Sequence, residues 1–165
     1  MRTDPLGRTL VRTYDASDNL ISQTDEDGNA RSWTYDGQGR VLVETDPEGR
    51  ATGNTYDALG NLVRVDDFEG GVTRHAYDGA GRRTSTTDPL GRITLFGYDA
   101  SGNVVSITDP AGAVTSATYD AANRPVTTVD ALGGTTTRVY DAAGRVVKIV
   151  DALGHSTTIA ARVGR

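Results

Sequence analysis

The chain has 165 residues and a formal net charge of −5, so it lacks the broad basic field that holds nucleic acid or an anionic membrane. It has no cysteine, which excludes disulfides and thiolate metal sites. Only 36% of the residues are hydrophobic and 6% are aromatic, which argues against a thick two-layer core. No apolar run is long enough to span a bilayer and no signal segment stands at the N-terminus, so we expect no membrane insertion.

The tyrosines reveal an internal repeat. All seven stand 21 residues apart and each is followed by aspartate: Tyr14, Tyr35, Tyr56, Tyr77, Tyr98, Tyr119 and Tyr140. A fixed period of this size indicates a repeat architecture, in which each unit depends on its neighbours for stability. We predict that residues 1–159 form an array of 21-residue units and that residues 160–165, where the pattern decays, form a frayed C-terminal end.

Aspartates recur along the chain in alternating steps of 11 and 10 residues, beginning at Asp4, and a glycine follows most of them three residues later. The clearest pairs are Asp36 with Gly39, Asp46 with Gly49, Asp57 with Gly60, Asp78 with Gly81, Asp88 with Gly91, Asp99 with Gly102, and Asp141 with Gly144. Asp18 and Asn123 are the two substitutes, and both residue types tolerate a positive φ. Because aspartate can bond a backbone N–H two residues on and glycine supplies the left-handed residue of a G1 bulge, the pattern predicts fifteen hairpin turns.

The segments between the turns are six or seven residues long and rich in valine and threonine, as in Val41–Thr45. This composition suits β-strands, and no window shows a capped helical stripe. We therefore predict an all-β antiparallel meander of hairpins. So many strands with so few bulky side chains cannot stay flat, so the sheet is expected to curve around space into part of a spiral shell.

Alternation along the strands predicts two different faces. The tyrosines should share one face with the residues two positions before them, including Trp33, His75, Phe96 and Ala117. In the strands that follow the Tyr-Asp turns, the residues at one equivalent position are mainly apolar. We assign them to the other face: Ile21, Leu42, Val63, Val105, Val126 and Val147.

A faint double period offers an alternative architecture. Turns ending in asparagine alternate with turns ending in arginine over the first five units, which gives a 42-residue period, the size of a four-stranded propeller blade. The sixth and seventh units break this period, because both begin Tyr-Asp-Ala and both end in arginine, at Arg124 and Arg145. We therefore prefer the continuous meander.

Catalytic and metal sites find little support in the sequence. The aspartates hold equivalent turn positions, where capping accounts for them. The two histidines, His75 and His155, are eighty residues apart, and no nucleophile motif accompanies them. The acidic turns at 25–28 and 66–70 do not have calcium-loop spacing. We predict no catalytic residue, no cofactor and no metal.

Ligand binding is the one chemical alternative that the residues leave open. A row of tyrosines with Trp33, His75 and Phe96 nearby would offer aromatic faces on which sugar rings could stack. The competing interpretation, which we favour, is that each tyrosine packs over the neighbouring hairpin and seals the sheet.

The repeat unit resembles a known family. The unit YDGQGRVLVETDPEGR (Tyr35–Arg50), and copies such as YDAAGRVVKIVDALGH, resemble the YD or RHS repeat, and the likeness covers essentially the whole chain. Proteins with such repeats include bacterial Rhs polymorphic toxins, the cocoon components of insecticidal toxin complexes, and the teneurins. The resemblance implies a long β-sheet that spirals into a hollow shell, enclosing a toxin or serving as an adhesive scaffold.

From this resemblance we expect a non-catalytic structural module that encloses or presents a C-terminal toxin or effector. Its partners would be the remaining repeats and that effector, within a larger bacterial protein that is secreted or displayed at the cell surface. The alternative is an extracellular adhesion or carbohydrate-binding module with a glycan partner. Nothing after Asp151 resembles the self-cleaving segment of Rhs toxins, so no residue is assigned to cargo release. Edge-to-edge self-association is also expected, because unpaired sheet edges pair with other chains.

Overall fold

The computed structural model describes residues 2–3 and 9–159, and every regular element in them is a β-strand. Six-residue strands ending at a tyrosine are β2 (Thr9–Tyr14), β4 (Ala30–Tyr35), β6 (Ala51–Tyr56), β8 (Val72–Tyr77), β10 (Ile93–Tyr98), β12 (Val114–Tyr119) and β14 (Thr135–Tyr140). Five-residue strands alternate with them: β3 (Leu20–Thr24), β5 (Val41–Thr45), β7 (Leu62–Asp66), β9 (Arg83–Thr87), β11 (Val104–Thr108), β13 (Pro125–Val129) and β15 (Val146–Val150). Two shorter strands are β1 (Arg2–Thr3) and β16 (Ser156–Thr158). The predicted turn at Asp4 and the predicted frayed end at 160–165 lie outside the described residues.

The strands belong to two compact units. The first contains the residues up to Ala76 together with Thr87–Gly91, and the second contains Tyr77–Thr86 and the residues from Arg92 onward. In the first unit, β1 to β8 pair in sequence order, and every pair is antiparallel. In the second, β10 to β16 do the same. The prediction of an all-β antiparallel meander is therefore confirmed. Among the described residues no helix is long and apolar enough to cross a membrane.

The turns are those that the aspartate–glycine pattern predicts. In all fourteen described turns the residue three after the aspartate donates its backbone N–H to the aspartate carbonyl, as Gly102 does to Asp99 over 3.1 Å. That residue has a positive φ, for example +87° at Gly102. The two substitutes adopt the same conformation, with φ of 63° at Asp18 and 57° at Asn123. This geometry is a type I turn closed by a left-handed residue.

One feature departs from strict alternation. Tyr35 pairs with Val41 and Thr34 pairs with Val43, so Leu42 has no partner and forms a β-bulge. The same shift follows five other tyrosines and leaves equivalent residues unpaired: Ile21, Val63, Val105, Val126 and Val147. Alternation by itself therefore does not assign this column to a face, because an extra residue interrupts the two-residue period. The strands are also one residue shorter than expected, because the turns take up the segment ends.

Neither unit has a conventional core. No described residue is buried, and most strand residues are of intermediate exposure. The most exposed of the large apolar side chains are at turn tips, and Leu132 is 98% exposed. Cohesion must therefore come from strand pairing and from contacts between neighbouring hairpins, as in repeat proteins whose units contact only their neighbours.

Candidate functional site

Each turn aspartate that the structure describes is a hydrogen-bond acceptor within its own turn. At Asp120, Oδ1 accepts the backbone N–H groups of Ala122 at 2.9 Å and Arg124 at 3.0 Å, and Oδ2 accepts Nε of Arg124 at 2.7 Å. The hydrogen bond from the Arg124 side chain, followed by that from its backbone N–H, holds the pKa of Asp120 below its usual value. Carboxylates engaged in this way cap the turn, as the sequence suggested.

The arginine that closes a turn also reaches the next tyrosine. The guanidinium of Arg124 lies 4.5 Å from the ring centroid of Tyr140, and the Tyr140 hydroxyl donates to the carbonyl of Pro125 at 2.8 Å. Because Arg124 is itself paired with Asp120, the contacts join one turn to the tyrosine of the next unit. We call this combination of ion pair, stacked ring and hydroxyl bond the tyrosine lock.

The lock recurs along the chain. The hydroxyl bond to the carbonyl fifteen residues earlier is formed by Tyr35, Tyr56, Tyr98, Tyr119 and Tyr140. A guanidinium also covers the rings of Tyr56 and Tyr98, at 4.6 and 5.0 Å. The packing role of tyrosine is thus visible in the geometry, and these covered rings are poorly placed to stack on a sugar.

Asparagine at the end of a turn changes the lock. Asn103 stands where Arg124 stands one unit later, and its Nδ2 donates to Asp99 at 2.9 Å and to Asn123 at 2.8 Å. The Tyr119 hydroxyl still donates to the carbonyl of Val104 at 3.0 Å, but within the described residues no guanidinium lies over its ring. The asparagine–arginine alternation seen in the sequence therefore determines which rings are covered.

The surface that carries the tyrosines, which we call the tyrosine face, also carries the residues two positions before them. Asn54 and Tyr56 show this directly, because both donate to the carbonyl of Val41, at 3.2 and 3.0 Å. Trp33 and His75 lie on β4 and β8, four strands or roughly 19 Å apart. The ring of Phe96 is covered by Arg83 at 5.0 Å. Trp33 and His75 therefore do not converge on one site.

The acidic turns at 25–28 and 66–70 do not gather a ligand set. No group of three or more acidic or histidine side chains among the described residues is arranged to hold a metal ion. In the first of these turns, Asp25 accepts the backbone N–H groups of Asp27 and Asn29, both at 2.9 Å. Asp66 pairs with Arg64 on the strand. These carboxylates have local partners.

Sequence reasoning missed a hollow on the tyrosine face. It has a volume of about 210 Å³ and is lined mainly by Val104, Ile107, Thr115, Ala117, Tyr119 and Thr128. Ala117 is the smallest residue in its column, where Phe96 stands one unit earlier and Arg138 one unit later. The alanine was visible in the sequence, but the uncovered ring of Tyr119 beside it was not.

These features occur in a chain with a strong family match. The family model for the RHS repeat matches residues 14–51, 56–93, 98–135 and 119–158. The chain belongs to the RHS repeat family. The resemblance drawn from the Tyr-Asp units is thereby confirmed. Comparison with curated protein sequences finds no match.

Solved structures share the fold of this RHS repeat chain. A structure of the Photorhabdus luminescens Tc holotoxin pore is 21% identical over 92% of this chain, with a TM-score of 0.73. The crystal structure of TcdB2–TccC3 is 23% identical over 88% of this chain, with a TM-score of 0.75. The RHS repeats described here span only 9% and 8% of those two chains, respectively. At these identities the likeness shows the fold, which is that of RHS repeats in Tc toxin structures.

The tyrosine lock predicts a measurable loss when its hydroxyl is removed. Tyr140→Phe keeps the ring under Arg124 but removes the bond to Pro125, and should lower the free energy of unfolding by about 0.5–1.5 kcal/mol. Urea denaturation followed by circular dichroism measures this. Tyr14→Phe is the matched control, because Tyr14 is 53% exposed, and it should change stability little. Equal losses in the two variants would contradict the lock.

Proposed function

We propose that this RHS repeat chain is a non-catalytic structural module, a stretch of the wall of a shell that encloses or presents a C-terminal toxin or effector. The observation that carries the proposal is the tyrosine lock, which joins hairpin to hairpin without a buried core. Membership of the RHS repeat family and the fold shared with Tc toxin structures support it.

The physical argument concerns how the sheet can grow. The hairpin of each 21-residue repeat contacts only its neighbours in sequence, so further repeats can be added without rebuilding a core. Both faces stay partly exposed, so one can line an enclosed volume while the other meets solvent. A wall made in this way can extend as far as the repeats continue.

The non-catalytic assignment is supported by what the carboxylates do. General acid catalysis at neutral pH needs a carboxyl group with a raised pKa. The hydrogen bonds at Asp120, first that from the Arg124 side chain, instead lower its pKa, and the pKa is also lowered at Asp78 and Asp99. Such groups stay ionised and bonded to their own turns.

The proposed partners are the remaining repeats of the parent protein and its C-terminal effector. We place this parent protein outside the bacterial cell or at its surface. Nucleic acid is not a proposed partner, because the net charge of −5 would repel it.

Protease protection of the full-length gene product tests enclosure. A C-terminal effector inside the shell should be cleaved much more slowly than the same effector expressed without the repeats. An effector digested equally fast in both forms would contradict enclosure. Glycan-array binding that disappears on replacing Tyr35 and Tyr119 would instead support the adhesion alternative.

A further inference from the structure

The hollow beside Ala117 has the features of a binding site for a single side chain. Its floor is Ala117 on β12, and its walls are Ile107 on β11 and Thr128 on β13. The ring of Tyr119 lines one end. The volume of about 210 Å³ is below the ~300–1,000 Å³ typical of pockets for drug-sized ligands. The hollow therefore suits one leucine-sized group better than a sugar chain.

Two hydroxyl groups of the lining already form hydrogen bonds within the protein. The Tyr119 hydroxyl donates to the carbonyl of Val104 at 3.0 Å, and Oγ1 of Thr128 accepts Nη1 of Arg138 at 3.5 Å. A sugar needs several hydrogen-bonding partners to replace its water, whereas the surface exposed in the hollow is mostly apolar. An apolar side chain needs no such partners, so it can enter the hollow without giving up hydrogen bonds to water.

A positive charge stands at the rim. Arg138 on β14 donates to Thr128 of the lining, on the adjacent strand β13, and it forms no ion pair within the described part of the chain. The strands β10 to β16 carry no aspartate or glutamate, because the acidic residues of this region lie in the turns. A ligand carboxylate would therefore meet an available guanidinium beside an apolar hollow.

We propose that this hollow binds an apolar side chain of an extended peptide that carries a carboxylate two residues away, on the same side of the peptide. The apolar group fills the space above Ala117, and the carboxylate pairs with Arg138. Charge complementarity selects the occupant, and the open sheet face allows an extended chain to continue on both sides. The inference goes beyond the structural role and holds whether or not the repeats enclose an effector.

The test uses two blocked pentapeptides, acetyl-Glu-Ala-Leu-Ala-Glu-amide and acetyl-Gln-Ala-Leu-Ala-Gln-amide, titrated into the isotopically labelled chain and followed by two-dimensional NMR. The acidic peptide should shift the signals of Ile107, Thr115 and Tyr119 and bind about two- to fivefold more tightly than the neutral one. Equal affinities would overturn the role of Arg138. N-acetyl-leucine binding as tightly as the acidic pentapeptide would overturn the peptide as occupant.

Matched variants locate the site. Ala117→Phe fills the hollow with the residue that occupies the equivalent position at Phe96, and should weaken binding at least about tenfold. Arg138→Gln should remove the preference for the acidic peptide. Thr118→Phe and Lys148→Gln, on the opposite face, should change neither result. If Ala117→Phe fails to fold, Ala117→Leu replaces it, and unchanged binding in the folded filling variant would overturn the proposal.

Discussion

Acidification below about pH 4 is expected to unfold the sheet over a narrow pH range. Asparagine side chains donate to Asp15 and Asp99, and those hydrogen bonds are the largest cause that holds the pKa of each carboxyl below its ordinary value. The pKa is lowered at ten turn aspartates: Asp15, Asp25, Asp36, Asp46, Asp57, Asp78, Asp99, Asp120, Asp141 and Asp151. Many equivalent groups must therefore take up protons as the chain unfolds.

The direction of the effect follows from proton linkage. A carboxyl with a depressed pKa in the folded state contributes stability that is fully present above the unfolded pKa of about 3.9. That contribution is lost as the pH falls through the lower folded-state pKa, because the unfolded chain then binds more protons. The free energy of unfolding should thus be level near neutrality and fall steeply below about pH 4.

Urea denaturation at a series of pH values measures this dependence. Asp99→Asn removes one titrating group while its amide oxygen can still accept turn N–H groups, so the slope of stability against pH should decrease. Asp18→Asn is the control, because Asp18 occupies the glycine position of its turn and its carboxylate does not cap that turn. An unfolding free energy that does not change between pH 5 and pH 3 would contradict the capping role.

The same glycine-to-alanine substitution is expected to have opposite effects at two turn positions. Gly102 has a φ of +87°, where a Cβ atom is strained even though the surrounding space is open. Gly79, in the second position of its turn, is outside the left-handed region and has nothing within 4 Å of an added Cβ. Gly102→Ala should lower the free energy of unfolding by about 1–2 kcal/mol, whereas Gly79→Ala should raise it by about 0.4–1 kcal/mol.

Thermal unfolding followed by circular dichroism separates these outcomes. A change of 1 kcal/mol moves the melting temperature by about 2–4 °C in a chain of this length, so the two variants should melt on opposite sides of the parent. Gly102→Asn is the control for strain, because Asn123 already occupies the equivalent position at a φ of 57°. It should be far less destabilising than Gly102→Ala. Equal losses in the alanine and asparagine variants would show that φ is not the cause.

The exposed leucines at the turn tips occupy positions where the turn does not constrain the residue type. Leu132 is 98% exposed and Leu153 is 82% exposed, and each stands two residues after the aspartate that opens its own turn. The turn geometry requires aspartate at the first position and a left-handed residue at the fourth. The two residues between these positions lie at the exposed tip of the turn, and the turn geometry does not fix their type.

The turns, the strand order and the lack of a thick two-layer core could be predicted from the sequence, because turns and strand order depend on residues close together in the chain. Asp99 and Gly102 close a turn by local hydrogen bonds, and successive turns leave each strand only the adjacent strand to pair with. The low content of hydrophobic residues limits how much of the chain can be buried. These conclusions needed no knowledge of residues distant in the chain.

Only the folded sheet shows the register of the strands and the side chains that this register brings into contact. The bulge that leaves Leu42 unpaired breaks the two-residue alternation, so side-chain direction could not be extrapolated across it. The stacking of Arg124 on Tyr140 and the hollow at Ala117 join residues from different strands. Such contacts depend on register and on the size of neighbouring side chains, and a repeat pattern describes each unit without specifying what its neighbours leave open.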